Sequence, residues 1–239
     1  MSGRDGLLRV AEDRFLHGHL LSRWITDYVD LEESLAVGSI AQEELAHAAT
    51  LMEFAGLDDE GRDAFIFERP VHAWQPTALV AHRLEDWPAV VIRGYLLASV
   101  GEVGSVLLSH ARRPELQSAG QVIAAEQRLH VTHWERWVSL LGQDQRTGDE
   151  LRARAAQVLP LATDVFGAPA FDRANGEAAH AAWVEAVSVP LAAVGIPVDA
   201  LGRAPVPRAV RDSTELADVL GEIRSLRVGA GDGVRGLYR

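Results

Sequence analysis

Apolar residues recur at helical spacing along four long stretches of this chain, and in each stretch an acid or an imidazole stands inside the apolar stripe. The second stretch, "SIAQEELAHAATLMEFAG" (39–56), shows it most clearly. Ala36, Ile40, Glu44, His47, Leu51 and Phe54 share one face, because steps of three and four return to the same side of a helix. The fourth stretch aligns Val122, Glu126, Leu129, His130, His133, Trp137 and Leu140. The third sets Glu102 on the stripe of Val91, Tyr95, Ala98 and Val106. The first puts Glu12 with Leu8 and Leu16, with Asp13 beside it and His17 and His19 further on.

A carboxylate alone in a core is too costly to survive unless it is paired, hydrogen-bonded or bound to a metal. One arrangement that satisfies the whole set is a pair of divalent ions, iron or manganese, held in the core of a helical bundle. Glu-x-x-His suits this because residues three apart lie side by side and reach the same ion. Each piece also has a plainer reading. Glu102 can pair with Arg93 or Arg128, Glu12 and Asp13 can be a solvated helix face, and His130 and His133 can be core histidines. His72, His82, His110 and His180 lie off the stripes and read as structural or surface groups, and the tryptophans 24, 87, 134, 137 and 183 read as core.

The rest of the chain is also helical and shows almost no alternation of period two, so the fold class is all-α. Asp30 with Glu33 opens the second helix, Gly56 closes it, Asp86 with Pro88 opens the third and Pro114 the fourth, which runs to Gly142. Residues 60–85 read as an ordered excursion. Weaker helices are expected at about 148–160, 176–194 and 213–226, before a frayed tail "GAGDGVRGLYR". This is one helical domain over 1–239, with a core bundle at about 6–142 and accessory helices at about 147–227.

Charge and composition narrow the partners. Lys and Arg number 23 against 34 Asp and Glu, a formal charge of −11, which disfavours nucleic acid and anionic membrane surfaces. With no cysteine, any metal must be held by His, Asp and Glu, and a cytoplasmic location is expected. The apolar runs "YLLASVG" and "VPLAAVGIPV" are shorter than the roughly 20 residues a membrane-spanning helix needs.

The stretches "AEDRFLHGHLLSRWI", "LEESLAVGSIAQEELAHAATLMEFAG" and "AAEQRLHVTHWERWVSLLG" resemble the phenylacetic acid catabolic proteins, ferritin-like subunits of the multicomponent phenylacetyl-CoA epoxidase. The resemblance covers the first 142 residues and implies a ferritin-like four-helix bundle with additional C-terminal helices. The layout around "LEESLAVGSIA" and of the fourth helix is most similar to the smaller, structural subunit, which has lost its metal ligands and supports the catalytic one. Glu44-Leu-Ala-His47 instead matches the catalytic relative. Position 127, where the catalytic pattern has Glu, is Gln, and the helix-one ligand falls on Arg14 or Phe15.

Two functions follow as expectations. In the first, a di-iron oxygenase with two iron ions per chain, manganese being an alternative, uses O2 to oxygenate a small molecule at carbon or nitrogen. Glu44 and His47 lead the ligand set, completed by Glu12 or Asp13, Glu102, Glu126, His130 and His133. Leu51, Tyr95 and Trp134 line its substrate pocket, and a separate reductase supplies electrons, since the chain carries neither a Gly-rich dinucleotide turn nor cysteines for an iron–sulfur cluster. In the second, the chain is a non-catalytic subunit, a homodimer or a heteromer with a related chain, docking through exposed aromatics such as Phe65, Phe67 and Trp74. Iron storage or superoxide chemistry fits the length and the resemblance less well.

Overall fold

A computed structural model of the chain describes residues 3–26, 30–84, 86–111, 113–167, 173–202, 204–208 and 214–229. The last ten residues of the expected tail lie outside them. Among the described residues nine α-helices follow in order: α1 (Arg4–Ser22), α2 (Leu31–Phe54), α3 (Asp59–Asp63), α4 (Ala78–Ala81), α5 (Trp87–Leu108), α6 (Pro114–Gln143), α7 (Gln145–Val158), α8 (Arg173–Ala193) and α9 (Thr214–Gly229). Short 3-10 and π turns fill the gaps, and there is no strand among the described residues. The fold class is all-α, and its two long-helix hairpins are the parts from which a ferritin-like bundle is made.

Local chemistry sets the ends of these helices. The Asp30 carboxylate accepts the Glu33 N–H at 2.7 Å, and Asp86 accepts that of Ala89 at 3.1 Å, each satisfying a first-turn donor that has no partner within its helix. Asp144 caps α7 in the same way through Arg146 and Thr147, so α7 begins at Gln145, three residues earlier than the sequence pattern suggests. Gly56 ends α2 at φ 85°, where an L side chain would be strained, and the Leu57 N–H reaches the Met52 carbonyl at 3.1 Å.

The chain divides into two compact units. The first holds residues 77–79 and 84–207, and its centre is the α5–α6 hairpin. The two helices are antiparallel: Gly94 faces Trp134, Glu102 pairs with Arg128, and Gly120 abuts Leu108 and Ser109. A Cβ on Gly94 would lie 2.5 Å from the Trp134 ring, so the missing side chain is what lets the indole seat there. Asp164 accepts the Ala78 N–H through both oxygens at 3.2 Å, tying the 3-10 turn after α7 to the start of α4. The second unit holds residues up to 76, 80–83 and from 208 onward, centred on the antiparallel α1–α2 hairpin. Gly18 brings these helices close, since its Cβ would meet the Ala41 carbonyl and Leu45 at 2.9 Å.

Among the described residues one helix, α5, is long and apolar enough to cross a membrane by length and composition, and 67% of its most apolar stretch is buried within the protein. It carries the buried Arg93.

Residues 60–84 hold the end of α3, the short helix α4 and the turns between them, an ordered stretch as expected. Their aromatics correct the expectation of an exposed docking surface. Trp74 and Phe65 are buried, 6.0 Å apart between ring centres, with Phe15 of α1 packed on the other side of Trp74 at 6.4 Å, and Phe67 is half-buried. Apolar rings next to an unfilled helix face bury themselves rather than wait for a partner.

Candidate functional site

On α2, Ile40, Glu44, His47 and Leu51 of the expected stripe are buried, and Ala36 and Phe54 at its two ends are half-buried. What Glu44 touches is an arginine. Both of its carboxylate oxygens accept from Nη1 of Arg14 on α1, at 2.9 and 2.8 Å, and the pair is buried. The guanidinium's positive charge offsets the carboxylate's negative one. His47 stands one turn on, buried on the same face.

The helix-one acids point elsewhere. At 100° per residue, Glu12 and Asp13 are turned about 200° and 100° around the axis from Arg14, although they are less than a turn away along it. Glu12 is completely buried, and its carboxylate takes Arg9 and Arg69, each at 2.7 Å, and the Gln75 N–H at 3.0 Å. Arg69 lies over the rings of Phe65 and Trp74, 3.6 and 4.3 Å from their centres. Burial pulls its pKa below the usual arginine value, and Glu12 opposes that shift. Asp13 pairs with Arg208 at 2.5 Å.

In the other unit the α5–α6 residues behave differently from the expected ligand set. The buried face of α6 is Leu116, Gly120, Ile123, Gln127, His130, Trp134 and Val138, so Gln127 points inward and Glu126 is half-buried. The Gln127 Nε2 donates to His130 Nδ1 at 3.1 Å, so these two buried side chains partner each other. His133 is half-buried, edge-on to Trp134 with ring centres 4.9 Å apart. Glu102 pairs with Arg128 at 2.9 Å in a partly exposed bridge, the plainer of its two sequence readings. Val122, Leu129 and Leu140, aligned by the sequence with the inward stripe, are exposed.

The three residues expected around a substrate are buried side chains, Leu51 in one unit and Tyr95 and Trp134 in the other. Burial first, then the charge of Glu135, pushes the Tyr95 phenol well above its usual pKa, so it is a neutral group.

A sequence profile of the family described as phenylacetic acid catabolic protein matches residues 4–193. The chain belongs to this family. The match runs past the four long helices and takes in α7 and α8, further than the resemblance of the first 142 residues. Membership links the protein to phenylacetate catabolism on a ferritin-like fold. Among individually curated proteins, none matches the chain.

For a family of di-iron type, the question is whether these residues fit a metal. Among the described residues no group of three or more His, Asp or Glu side chains is placed to hold one. In the α1–α2 unit the reason is specific: the Glu44 carboxylate, the anion an ion would need, already holds a guanidinium. The donor set there does not fit a divalent cation. Position 14 departs from the ligand pattern in the sequence, whose spacing does not reveal that Arg14 is the partner of Glu44. The available signal was a lone arginine in a stretch that is otherwise buried, "FLHGHLL" following it directly.

Proposed function

We propose that this protein is a non-catalytic subunit of a multicomponent monooxygenase of the phenylacetyl-CoA epoxidase kind, a helical support for a catalytic di-iron relative. The observation that carries the reading is Arg14 bound to both oxygens of Glu44. A divalent ion placed beside that carboxylate would meet a fixed positive charge. At about 4 Å and an effective dielectric of roughly 20, repulsion is on the order of 4 kcal/mol per unit of charge. Arginine here does the neutralising that a metal does in a catalytic subunit, and Gln127 on His130 replaces an anionic ligand by a neutral one.

The oxygenase reading keeps one observation in its favour, Glu44 and His47 buried side by side on α2. It requires Arg14 to withdraw and a reductase to supply electrons for O2-dependent oxygenation of a small molecule. Anaerobic loading with Fe(II), followed by metal analysis of the desalted protein, separates the two readings. The support reading expects iron far below one ion per chain. A stoichiometry near the two ions of a di-iron centre overturns it.

A further inference from the structure

The outer face of α6 carries aliphatic residues that the core does not take up. Val122, Leu129 and Leu140 are 57%, 69% and 51% exposed, although three large aliphatic residues at steps of 7 and 11 fall on one side of a helix. Between them on the same side stand Glu126, His133 and Arg136. Together the positions 122, 126, 129, 133, 136 and 140 alternate in steps of four and three, the spacing of a coiled-coil seam. The column beside the seam, Ser118, Ala125, Thr132 and Ser139, is exposed, small and uncharged, so nothing along it repels a neighbouring helix.

We infer that this seam is the interface of an antiparallel homodimer in which α6 packs against α6 of a second copy. The occupant follows from the seam's self-complementarity. Under a two-fold axis at the level of Val131, each residue meets the one whose number completes 262: Val122 meets Leu140, Leu129 meets His133 and Glu126 meets Arg136. Each of the three pairings occurs twice, as a two-fold interface demands, and opposite charges meet where the seam carries Glu126 and Arg136. On either side of the axis a Leu–His contact and a Val–Leu contact flank a Glu–Arg pair. Slipping the register by one heptad sets Glu126 opposite Leu129 in one direction and Arg136 opposite His133 in the other, so the charges lose each other.

The chain has no native cysteine, which makes the register directly testable. Val122→Cys and Leu140→Cys are made singly and together in the full-length protein and oxidised mildly at tens of micromolar. The double variant forms a disulfide-linked dimer. Neither single variant does so, because like positions lie about 27 Å apart across the axis at 1.5 Å per residue. Sedimentation of the parent and of Glu126→Arg, Arg136→Glu and the double exchange completes the test. Each single exchange lowers dimerisation at least tenfold, the double exchange restores it, and circular dichroism verifies that all four are equally helical. A parent that stays monomeric up to about 200 µM overturns the inference. So does cross-linking by a single variant, or a dimer indifferent to the charge exchanges, and so does a monomer whose α6 face binds only a related catalytic subunit.

Discussion

The Arg14 guanidinium meets the Glu44 carboxylate through one nitrogen, Nη1, which lies within 2.9 Å of both oxygens, and the two residues come from different helices 30 positions apart. Removing one partner strands a charge where water does not reach. Arg14→Ala and Glu44→Ala are each expected to cost about 3–5 kcal/mol in urea unfolding, whereas a paired exchange to Met and Leu costs far less, since apolar groups of similar volume carry no desolvation penalty. Equal losses for the single and paired changes would mean that packing, not charge, holds this contact.

The same pair predicts a metal response. With Arg14→Ala, Glu44 and His47 are left without the guanidinium, and Mn(II) raises the melting temperature of the variant by binding the folded state only. The parent shows no such rise. Thermal scans with and without Mn(II), repeated on Arg14→Ala/His47→Ala, check this, and stabilisation that survives loss of His47 would place the ion elsewhere.

Gly94 predicts a packing limit in the α5–α6 hairpin. An added methyl lies 2.5–2.9 Å from three atoms of the fully buried Trp134 indole. Gly94→Ala is expected to destabilise by about 1–3 kcal/mol through overpacking, read as a lower denaturant midpoint at unchanged slope. Trp134 fluorescence shifts with it.

Two buried histidines predict the direction of the pH dependence. Burial lowers the pKa of His180 from 6.5, with its bond to the Leu201 carbonyl at 3.2 Å acting the other way. Burial also lowers that of His19, with Glu222 opposing and Arg23 adding to it. As pH falls below 6.5 the unfolded chain takes up protons that the folded chain refuses, so stability present above that pH is lost on acidification until the folded pKa is passed. The loss is at most about 1.4 kcal/mol per histidine for each pH unit in that window. Denaturant midpoints at about pH 7.5 and 5.5 measure it, and His19→Gln/His180→Gln shows a smaller difference between them.

How far the stripes could be read differs between α2 and α6. On α2, which has a single predicted stripe, Ile40, Glu44, His47 and Leu51 lie inward as their spacing indicates, while Leu31 and Leu35 in its first turns are exposed. α6 offers two stripes. Its spacing favours Val122, Leu129 and Leu140, yet the buried side is that of Ile123, Gln127, Trp134 and Val138. Periodicity says that a stripe exists; which stripe faces the core depends on the neighbour. Here Gly120 abutting Leu108 and Gly94 receiving Trp134 select the side.

From its own residues the chain determines an all-α fold, the caps that start its helices at Asp30, Asp86 and Pro114, and the presence of Glu44 and His47 on a buried face. These are local matters, settled by spacing and by donors a few residues away. What neutralises Glu44 was decided only by tertiary structure. Arg14, Glu12 and Asp13 are adjacent in sequence but point in three directions, and a turn of 100° per residue sends one to Glu44, one to Arg9 and Arg69, and one to Arg208.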